Sequence, residues 1–508
     1  FVLPLELPVI LGGLLALGPG RAATAVRAIL VTALMLIAVL KIADYAMFTA
    51  LGRGFNPVAD LPLAEAGVRL LHGAVGPALT IVALAAALVA VVFASWLLWW
   101  ATGVWAQVEV GRRAARVMAT VAALFGGIAI AEIGAAMGRW NLPVAPPGAA
   151  FTARVGVERI VMARDTFAKL WEFAAAAADD PYSDLEGLLD RIDSDVLVIF
   201  VESYGRTSLD TPFHAKTHRA TLAAAEARLQ DLGLSMRSGL LRAPTRGGQS
   251  WLSHATFANG LWIDNQTSYG AALASGRETL FHIARRSGFR TAAVMPQITL
   301  DWPESSFMGF ETVLASDDLG YEGLPFNWVT MPDQFTLTAL DRLLRDGSDP
   351  RPLFAQIALG SSHAPWVPVP ELIAWESVGD GRIFDGMARS GDPPEVVWSD
   401  PDRVREQYRK AIDYALRTVF DYAARHAAEP PLMIVIGDHR AAGFVALDER
   451  PDVPVHVIGP GHLVSPAADW GWQAGLIPDT GGAVRSMDRM RDLILEAYSS
   501  RGAEGTGS

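Results

Sequence analysis

Cysteine is absent from the 508-residue chain. The fold therefore has no disulfide bond, no cysteine-ligated zinc and no cysteine nucleophile. Charged residues are scarce, at 19%, against roughly 25% in an ordinary soluble domain. The net charge of -12 and the lack of any dense lysine or arginine run argue against nucleic-acid binding. The chain is instead 51% hydrophobic, with a mean hydropathy of +0.26, which is high for a water-soluble protein.

Hydrophobic residues are concentrated in four runs, at about 2–18, 26–50, 75–103 and 114–137. Each run approaches or exceeds the ~20 residues that a helix needs to cross a bilayer. We therefore predict four transmembrane helices within residues 1–138.

Arginines in the connecting loops predict the orientation of these helices. One loop carries Arg21 and Arg27, and the loop at 104–116 carries three more arginines. The positive-inside bias places both loops in the cytoplasm, so that everything after Arg139 lies outside. The chain then starts outside, and we expect one further helix to precede Phe1 in the full-length protein.

The composition changes after Arg139. We predict an amphipathic connector at 139–192, helical from residue 151, then a globular domain at 193–500 and a flexible tail at 501–508. Within the domain, short apolar runs predict buried strands at 195–201, 291–295, 353–359 and 432–436. Amphipathic stretches between them predict helices at 219–232, 277–287, 334–345, 403–427 and 487–498. This alternation predicts a mostly parallel sheet with helices on both faces.

Polar side chains follow three of the predicted strands. Glu202 follows the first, His363 follows the third, and Asp438 and His439 follow the last. Ligands of open α/β sheets bind at the carboxyl ends of the strands. Carboxylates and imidazoles that converge there are suitable ligands for a divalent cation.

A fourth candidate ligand is Ser250, which follows Gly247 and Gly248. Two glycines before hydroxyl residues at a helix start let backbone N–H groups approach a phosphate. A cation on the Ser250 oxygen would lower the pKa of the hydroxyl and make it a nucleophile near neutral pH. Each feature alone also has a structural interpretation, a helix cap for Glu202 and an ordinary loop for the glycines. Their combination downstream of apolar helices favours the functional one.

These elements resemble the alkaline-phosphatase/sulfatase superfamily, and within it the membrane-anchored lipoteichoic acid synthase-like group. That group contains phosphoglycerol transferases, and phosphoethanolamine transferases are relatives. The matching stretches are 201–205 (VESYG), 245–253 and 437–439 (GDH). The resemblance implies a transmembrane α-helical bundle followed by an α/β alkaline-phosphatase-like domain with a mostly parallel central sheet. It also implies the bacterial cytoplasmic (inner) membrane, with the catalytic domain on the periplasmic or extracellular side.

The resemblance also implies roles for single residues. The metal ligands would be Glu202, Ser250, Asp438 and His439, around one divalent ion, with Mn²⁺ favoured and Zn²⁺ or Mg²⁺ as alternatives. Ser250 would be the nucleophile, where the family usually has threonine.

Substrate contacts are implied for His363 and Trp302. An arginine that follows this tryptophan in lipoteichoic acid synthases is replaced here by Pro303 and Glu304. Candidates for the missing phosphate contacts are Arg246, Arg440 and His254, with a surface or structural role as the alternative for each. His456 resembles a second-metal histidine of the wider superfamily, with a buried structural role as the alternative.

We predict metal-dependent transfer of a phosphoglycerol headgroup from a membrane phospholipid, with phosphatidylglycerol favoured, to a glycan or polymer acceptor. The intermediate would be phospho-Ser250. Phosphoethanolamine transfer is an alternative, but the catalytic domains of typical phosphoethanolamine transferases carry disulfides. A phosphodiesterase on the same scaffold and a non-enzymatic membrane protein are further alternatives. A sulfatase activity is disfavoured, because the stretch from Ser250 to His254 lacks the Cys/Ser-x-Pro-x-Arg pattern that formylglycine formation needs.

Overall fold

The computed structural model describes residues 3–51, 54–61, 63–144, 146–183, 185–300, 302–327 and 330–500. The chain divides into two compact units, Phe1–Trp171 and Glu172–Ser508. This division falls inside the predicted connector at 139–192. The predicted boundaries at 138 and 192 stay predictions, and the predicted tail at 501–508 lies outside the described residues.

The first unit is helical. Its helices are α1 (Glu6–Leu17), α2 (Arg21–Leu51), α3 (Leu63–Ala106), α4 (Arg112–Ala136) and α5 (Phe151–Ala178), which runs on into the second unit. Leu3–Pro4 pairs with Gly148–Ala149 as a short parallel ladder. Helix α3 is broken at Gly76, whose φ of 80° is non-helical, just before Pro77.

Three helical segments are long and apolar enough to cross a membrane, among the residues that the structure describes. They are Arg21–Thr49, Gly76–Ala106 and Arg112–Ala136. The first predicted run forms α1, which has only 12 residues. A helix of that length extends about 18 Å, less than the ~30 Å hydrocarbon core of a bilayer. A fourth crossing therefore stays a prediction.

Carboxylates of the first unit anchor the start of α5. Glu6 accepts hydrogen bonds from the backbone N–H groups of Thr152 and Ala153, at 2.6 and 3.0 Å. A negative charge is favourable at this end of a helix. The predicted helix to residue 192 is wrong beyond Ala178, because Pro181 disfavours helical geometry in the residue before it.

The second unit contains a nine-stranded sheet. Its strands are β1 (Val196–Val201), β2 (Ser235–Arg242), β3 (Arg290–Met295), β4 (Thr312–Ala315), β5 (Leu353–Leu359), β6 (Leu432–Gly437), β7 (Asp452–Gly459), β8 (Gln473–Ala474) and β9 (Val484–Ser486). The order is β8-β2-β7-β6-β1-β5-β3-β4, and β9 also pairs with β2. The stretch from β6 to β4 is parallel, whereas β7 is antiparallel to both of its neighbours. The predicted mostly parallel sheet is confirmed.

Helices cover both faces of this sheet. They are α6 (Pro212–Asp231), α7 (Ser250–Asn259), α8 (Gln266–Ala274), α9 (Leu280–Arg286), α10 (Asp333–Leu344), α11 (Pro401–Arg425) and α12 (Arg489–Tyr498). Single turns of α-helix lie at Thr207–Asp210, Asp385–Ala388, Pro394–Val397, Gly443–Ala446 and Gly461–Val464. Single turns of 3₁₀-helix lie at Pro303–Phe307, Ser316–Leu319, Trp375–Ser377, Arg382–Phe384 and Ser465–Ala468.

Alternate residues of each central strand enter opposite cores, as strand geometry requires. In β1, Leu197 and Ile199 belong to the core that α6, α10 and α11 cover. Val198 and Phe200 belong to the core under α7, α9 and α12. Burial on both faces explains why these strands are continuous apolar runs in the sequence.

The register of the central strands aligns their carboxyl ends. Val201 of β1 lies opposite Leu359 of β5 on one side and Gly437 of β6 on the other. The residues that follow these three positions therefore emerge together at one edge of the sheet. Gly437 is required there, because a Cβ atom at this position would lie 1.9 Å from the carbonyl oxygen of Tyr204.

Candidate metal and nucleophile site

Glu202, Asp438 and His439 meet at this edge of the sheet. One potential ligand atom from each lies within 4.8 Å of the others, as a divalent cation would require. The Nε2 atom of His439 is 3.2 Å from Oε1 of Glu202 and 3.9 Å from Oδ1 of Asp438. All three side chains are buried. The predicted convergence of these three residues is confirmed.

The charges of this cluster favour a cation. Burial and the nearby charge of Glu202 raise the pKa of Asp438 well above its usual range. Burial alone would lower the pKa of His439, but Asp438 and Glu202 raise it to about 10. Burial would raise the pKa of Glu202, but the neighbouring His439 holds it low. Two buried carboxylates thus attract positive charge, which a divalent cation can supply, and the residues fit such an ion.

Hydrogen bonds orient these ligands. The Nδ1 atom of His439 lies 2.9 Å from the carbonyl oxygen of Arg440, which can only accept, so Nδ1 carries a proton and Nε2 faces the carboxylates. Such a bond fixes the tautomer that ligates metals. Ser203 donates from its backbone N–H to Asp438, at 2.8 Å, and from its hydroxyl to Glu202, at 2.9 Å. Its φ of 58° is a strained conformation for serine.

The loop before α7 presents Ser250 at the start of that helix. Gly247 and Gly248 have φ angles of 69° and 143°, and Gln249 adopts a left-handed conformation with φ of 62°. Ser253 donates to the carbonyl oxygen of Asp438, at 2.6 Å, and so fixes the first turn of α7 to the end of β6. Strained non-glycine residues thus adjoin both Glu202 and Ser250, which is typical of functional sites.

A cavity of about 460 Å³ opens beside the cluster. It is lined by Glu202, Gly248, Gln249, Ser250, Trp251, His254, Gln266, Tyr269, Met295, Gln297, Ile298, Trp302, Glu304, Met308, Gln356, Ala358, His363 and His439. Four residues predicted from the sequence, Ser250, His254, Trp302 and His363, therefore share one cavity with Glu202 and His439. Their roles in catalysis and substrate binding stay predictions.

Two predicted phosphate-binding arginines are not among the described residues that line this cavity. Arg246 is exposed. The guanidinium of Arg440 donates to the carbonyl oxygen of Ala441, at 2.9 Å, and to Glu449, at 3.0 Å. Arg440 thus has protein partners, and substrate binding by either arginine stays a prediction.

His456 is held by protein groups at both ring nitrogens. Its Nδ1 atom lies 2.8 Å from the hydroxyl of Ser238, and its Nε2 atom lies 3.1 Å from the hydroxyl of Tyr204. This pairing supports the structural alternative over a second metal site.

The sequence interpretation missed Asp333, the first residue of α10. Its Oδ1 atom accepts from the backbone N–H groups of Gly360 and Ser361, at 2.9 and 2.8 Å. These bonds hold the loop after β5 that carries His363. Burial raises the pKa of Asp333 to about 6, although the same hydrogen bonds oppose the shift. In the sequence, an aspartate after a proline suggests no more than a helix start.

We expect Asp333→Asn to stabilise the domain at neutral pH. Because the folded-state pKa is raised from 3.8 to about 6, stability is lost as the pH rises through this interval. The shift corresponds to about 3 kcal/mol above pH ~6. The melting temperature of the wild type should therefore fall between pH ~4 and ~7 by more than that of the variant. The exposed Asp346→Asn is the matched control, and an identical pH dependence in wild type and Asp333→Asn would contradict this prediction.

The site combines buried Glu, Asp and His side chains at the strand ends of an α/β sheet with a hydroxyl at the start of a helix. These features indicate an α/β enzyme. The sulfatase family model matches residues 194–451, and the chain belongs to this family, within the alkaline-phosphatase superfamily. A comparison with curated proteins finds no match.

Similar solved structures include a lipoteichoic acid synthase and two transferases. The lipoteichoic acid synthase LtaP from Listeria monocytogenes is 12% identical, with 64% of this chain and 81% of that chain covered and a TM-score of 0.38. Phosphoglycerol transferase GacH from Streptococcus pyogenes, in complex with sn-glycerol-1-phosphate, is 15% identical, with coverage of 58% and 75% and a TM-score of 0.37. The integral membrane protein EptA from Neisseria meningitidis, a lipooligosaccharide phosphoethanolamine transferase, is 14% identical, with coverage of 81% and 76% and a TM-score of 0.42.

Proposed function

We propose that this enzyme transfers a phosphoglycerol headgroup from a membrane phospholipid, phosphatidylglycerol by preference, to a hydroxyl group of a glycan or polymer. The observation that carries the proposal is the shared cavity of Ser250, Glu202, His439 and His363. It places a hydroxyl at a helix N-terminus beside a cluster suited to a divalent cation. This combination is typical of phosphoryl transfer.

Glu202, Asp438 and His439 would hold the cation, with Ser250 as a further ligand. We propose Mn²⁺, with Zn²⁺ or Mg²⁺ as alternatives, since oxygen ligands with one imidazole suit all three. When bound, this ion neutralises charge on phosphoryl oxygens and lowers the pKa of a hydroxyl group.

Ser250 is the nucleophile of the first half-reaction. Its Oγ atom forms a bond to phosphorus, the bond from phosphorus to the diacylglycerol oxygen breaks, and that oxygen takes up the proton that Ser250 loses. The backbone N–H groups in the first turn of α7 can donate hydrogen bonds to the phosphoryl oxygens. In the second half-reaction an acceptor hydroxyl attacks phosphorus, and the Ser250 oxygen leaves and regains a proton.

Three apolar helices support a membrane-resident lipid donor. The arginine-rich loops support a catalytic domain outside the bacterial cytoplasmic membrane. A phosphodiesterase would differ only in using water as the acceptor. One observation favours phosphoethanolamine as a second candidate headgroup, because Glu304 lines the cavity and could pair with an ammonium group.

We expect the full chain with Mn²⁺ to release diacylglycerol from phosphatidylglycerol faster than from phosphatidylethanolamine. Each lipid is supplied separately in mixed micelles, with phosphatidylcholine as the control. The peptide containing Ser250 should gain the mass of one phosphoglycerol group. Faster release from phosphatidylethanolamine would support the second headgroup, and release from neither lipid would contradict the proposal.

A further inference from the structure

Several side chains of the same cavity have polar atoms without a hydrogen-bond partner. They are Nε2 of Gln249, in the loop that carries Ser250, Nε2 of His254, Nε2 of Gln297, and both Nε2 and Oε1 of Gln356, and all of these atoms are buried. We call His254, Gln297 and Gln356 the neutral wall. A buried polar group without a partner destabilises the fold, so unpaired groups at a cavity point to a ligand that pairs with them.

Gln356 lies in the middle of β5 and is fully buried. It follows Phe354 and precedes Ala358 on the strand face that carries the core under α7 and α9. The residues of the neighbouring strand β1 that face this core are all apolar, namely Val196, Val198 and Phe200. This amide has no hydrogen-bond partner among the residues that the structure describes, and its side chain lines the cavity.

The other two members line the same cavity. His254 lies one turn after Ser250 on α7 and packs on Phe200, with ring centroids 4.1 Å apart. Burial lowers the pKa of His254 to about 4, so its ring is neutral near pH ~7. Gln297 follows β3 and lies against Gly360, where a Cβ atom would be 2.4 Å from its Nε2 atom.

The charge of the cavity lining indicates which part of a substrate meets this wall. No lysine or arginine is among the described lining residues, and its carboxylates are Glu202, in the metal cluster, and Glu304. The wall itself carries donors and acceptors but no net charge. A hydroxyl both donates and accepts, so it can pair with an amide or a neutral imidazole. An ammonium group only donates and would leave the Nε2 donors of both glutamines unpaired.

We propose that His254, Gln297 and Gln356 form a subsite for an uncharged, hydroxyl-bearing group, such as glycerol, and that this subsite selects it over an ammonium-bearing group. The inference rests on the proposed function and assigns its headgroup specificity to these three residues. Phosphate recognition stays with the metal cluster and the start of α7.

Binding measurements test the subsite without turnover. Titration calorimetry compares glycerol phosphate with phosphoethanolamine, using the full chain loaded with Mn²⁺. Wild type should bind glycerol phosphate about ten-fold more tightly, which is the effect of about one well-formed hydrogen-bonding group. Gln356→Met keeps the length of the side chain but removes the amide, and it should bring the two affinities within about three-fold of each other. Gln297→Met should act in the same direction if Gln356→Met does not fold.

Gln230→Met is the matched control, because Gln230 is exposed on α6 and lies outside the cavity lining. It should keep the wild-type preference. The inference is overturned if wild type binds the two compounds equally or binds neither, or if both glutamine variants keep the preference. Failure of the proposed function looks different: diacylglycerol is not released from any lipid although the preference in binding and its loss in Gln356→Met are both observed.

Discussion

Ser250→Ala should lower diacylglycerol release by about a thousand-fold or more, the usual effect of removing a nucleophile. Alanine removes the one hydroxyl that the first turn of α7 presents to the cavity beside Glu202 and His439. The carboxylates and the imidazole remain, so the chain should keep most of its bound Mn²⁺. Turnover and metal content are measured on the same preparation, the second by elemental analysis.

Two further variants decide how this loss is interpreted. Ser250→Thr keeps a hydroxyl at the same place and should retain much of the turnover. Ser275→Ala changes an exposed serine at the end of α8 and should behave as wild type. An unchanged rate in Ser250→Ala would remove the nucleophile assignment, and a parallel loss of metal would show that the serine acts mainly as a ligand.

The central strands could be predicted from the sequence because they are buried on both faces. The predicted strand at 353–359 coincides with β5, and the prediction at 432–436 differs from β6 only by Gly437. The strand ends then placed Glu202, Asp438 and His439 at one edge, since neighbouring parallel strands share their direction. The cluster of candidate metal ligands is thus the part of the site that the hydrophobic pattern of the sequence can predict.

The outer strands could not be predicted in the same way. β2 reads SMRSGLLR and β7 reads DVPVHVIG, so polar residues, a glycine and a proline interrupt any continuous apolar pattern. Their pairing is antiparallel and depends on contacts distant in sequence. His456 illustrates the consequence, because its two hydrogen-bond partners come from β2 and from the turn after β1.

The neutral wall was missed for a related reason. Gln356 lies within an otherwise apolar strand, and a single glutamine there carries no motif. Only the folded structure reveals that its amide has no partner within the described ranges and that it lines the same cavity as His254 and Gln297. The candidate metal ligands follow strand ends and can be found by position, whereas the proposed specificity residues lie on a strand interior, a helix and a loop that meet only at the cavity.

Asp438→Asn should destabilise the protein when Mn²⁺ is bound but not when the metal is chelated. With Mn²⁺ present, the wild type gains about 2.7 kcal/mol at a metal concentration of 100 times Kd, and the variant loses most of this gain with its carboxylate ligand. With the metal chelated, the variant should be as stable as wild type or more so. Its amide oxygen can still accept from the backbone N–H groups of Ser203 and His439, while the repulsion between Asp438 and Glu202 is removed.

Thermal unfolding with Mn²⁺ and with a chelator measures both halves of this prediction on one pair of proteins. The exposed Asp264→Asn should follow wild type in both conditions. If Asp438→Asn were destabilised equally with and without metal, Asp438 would serve the fold rather than the ion. A reversal of sign would instead show that Asp438 serves a bound cation, because burying two neighbouring carboxylates is unfavourable unless positive charge offsets them.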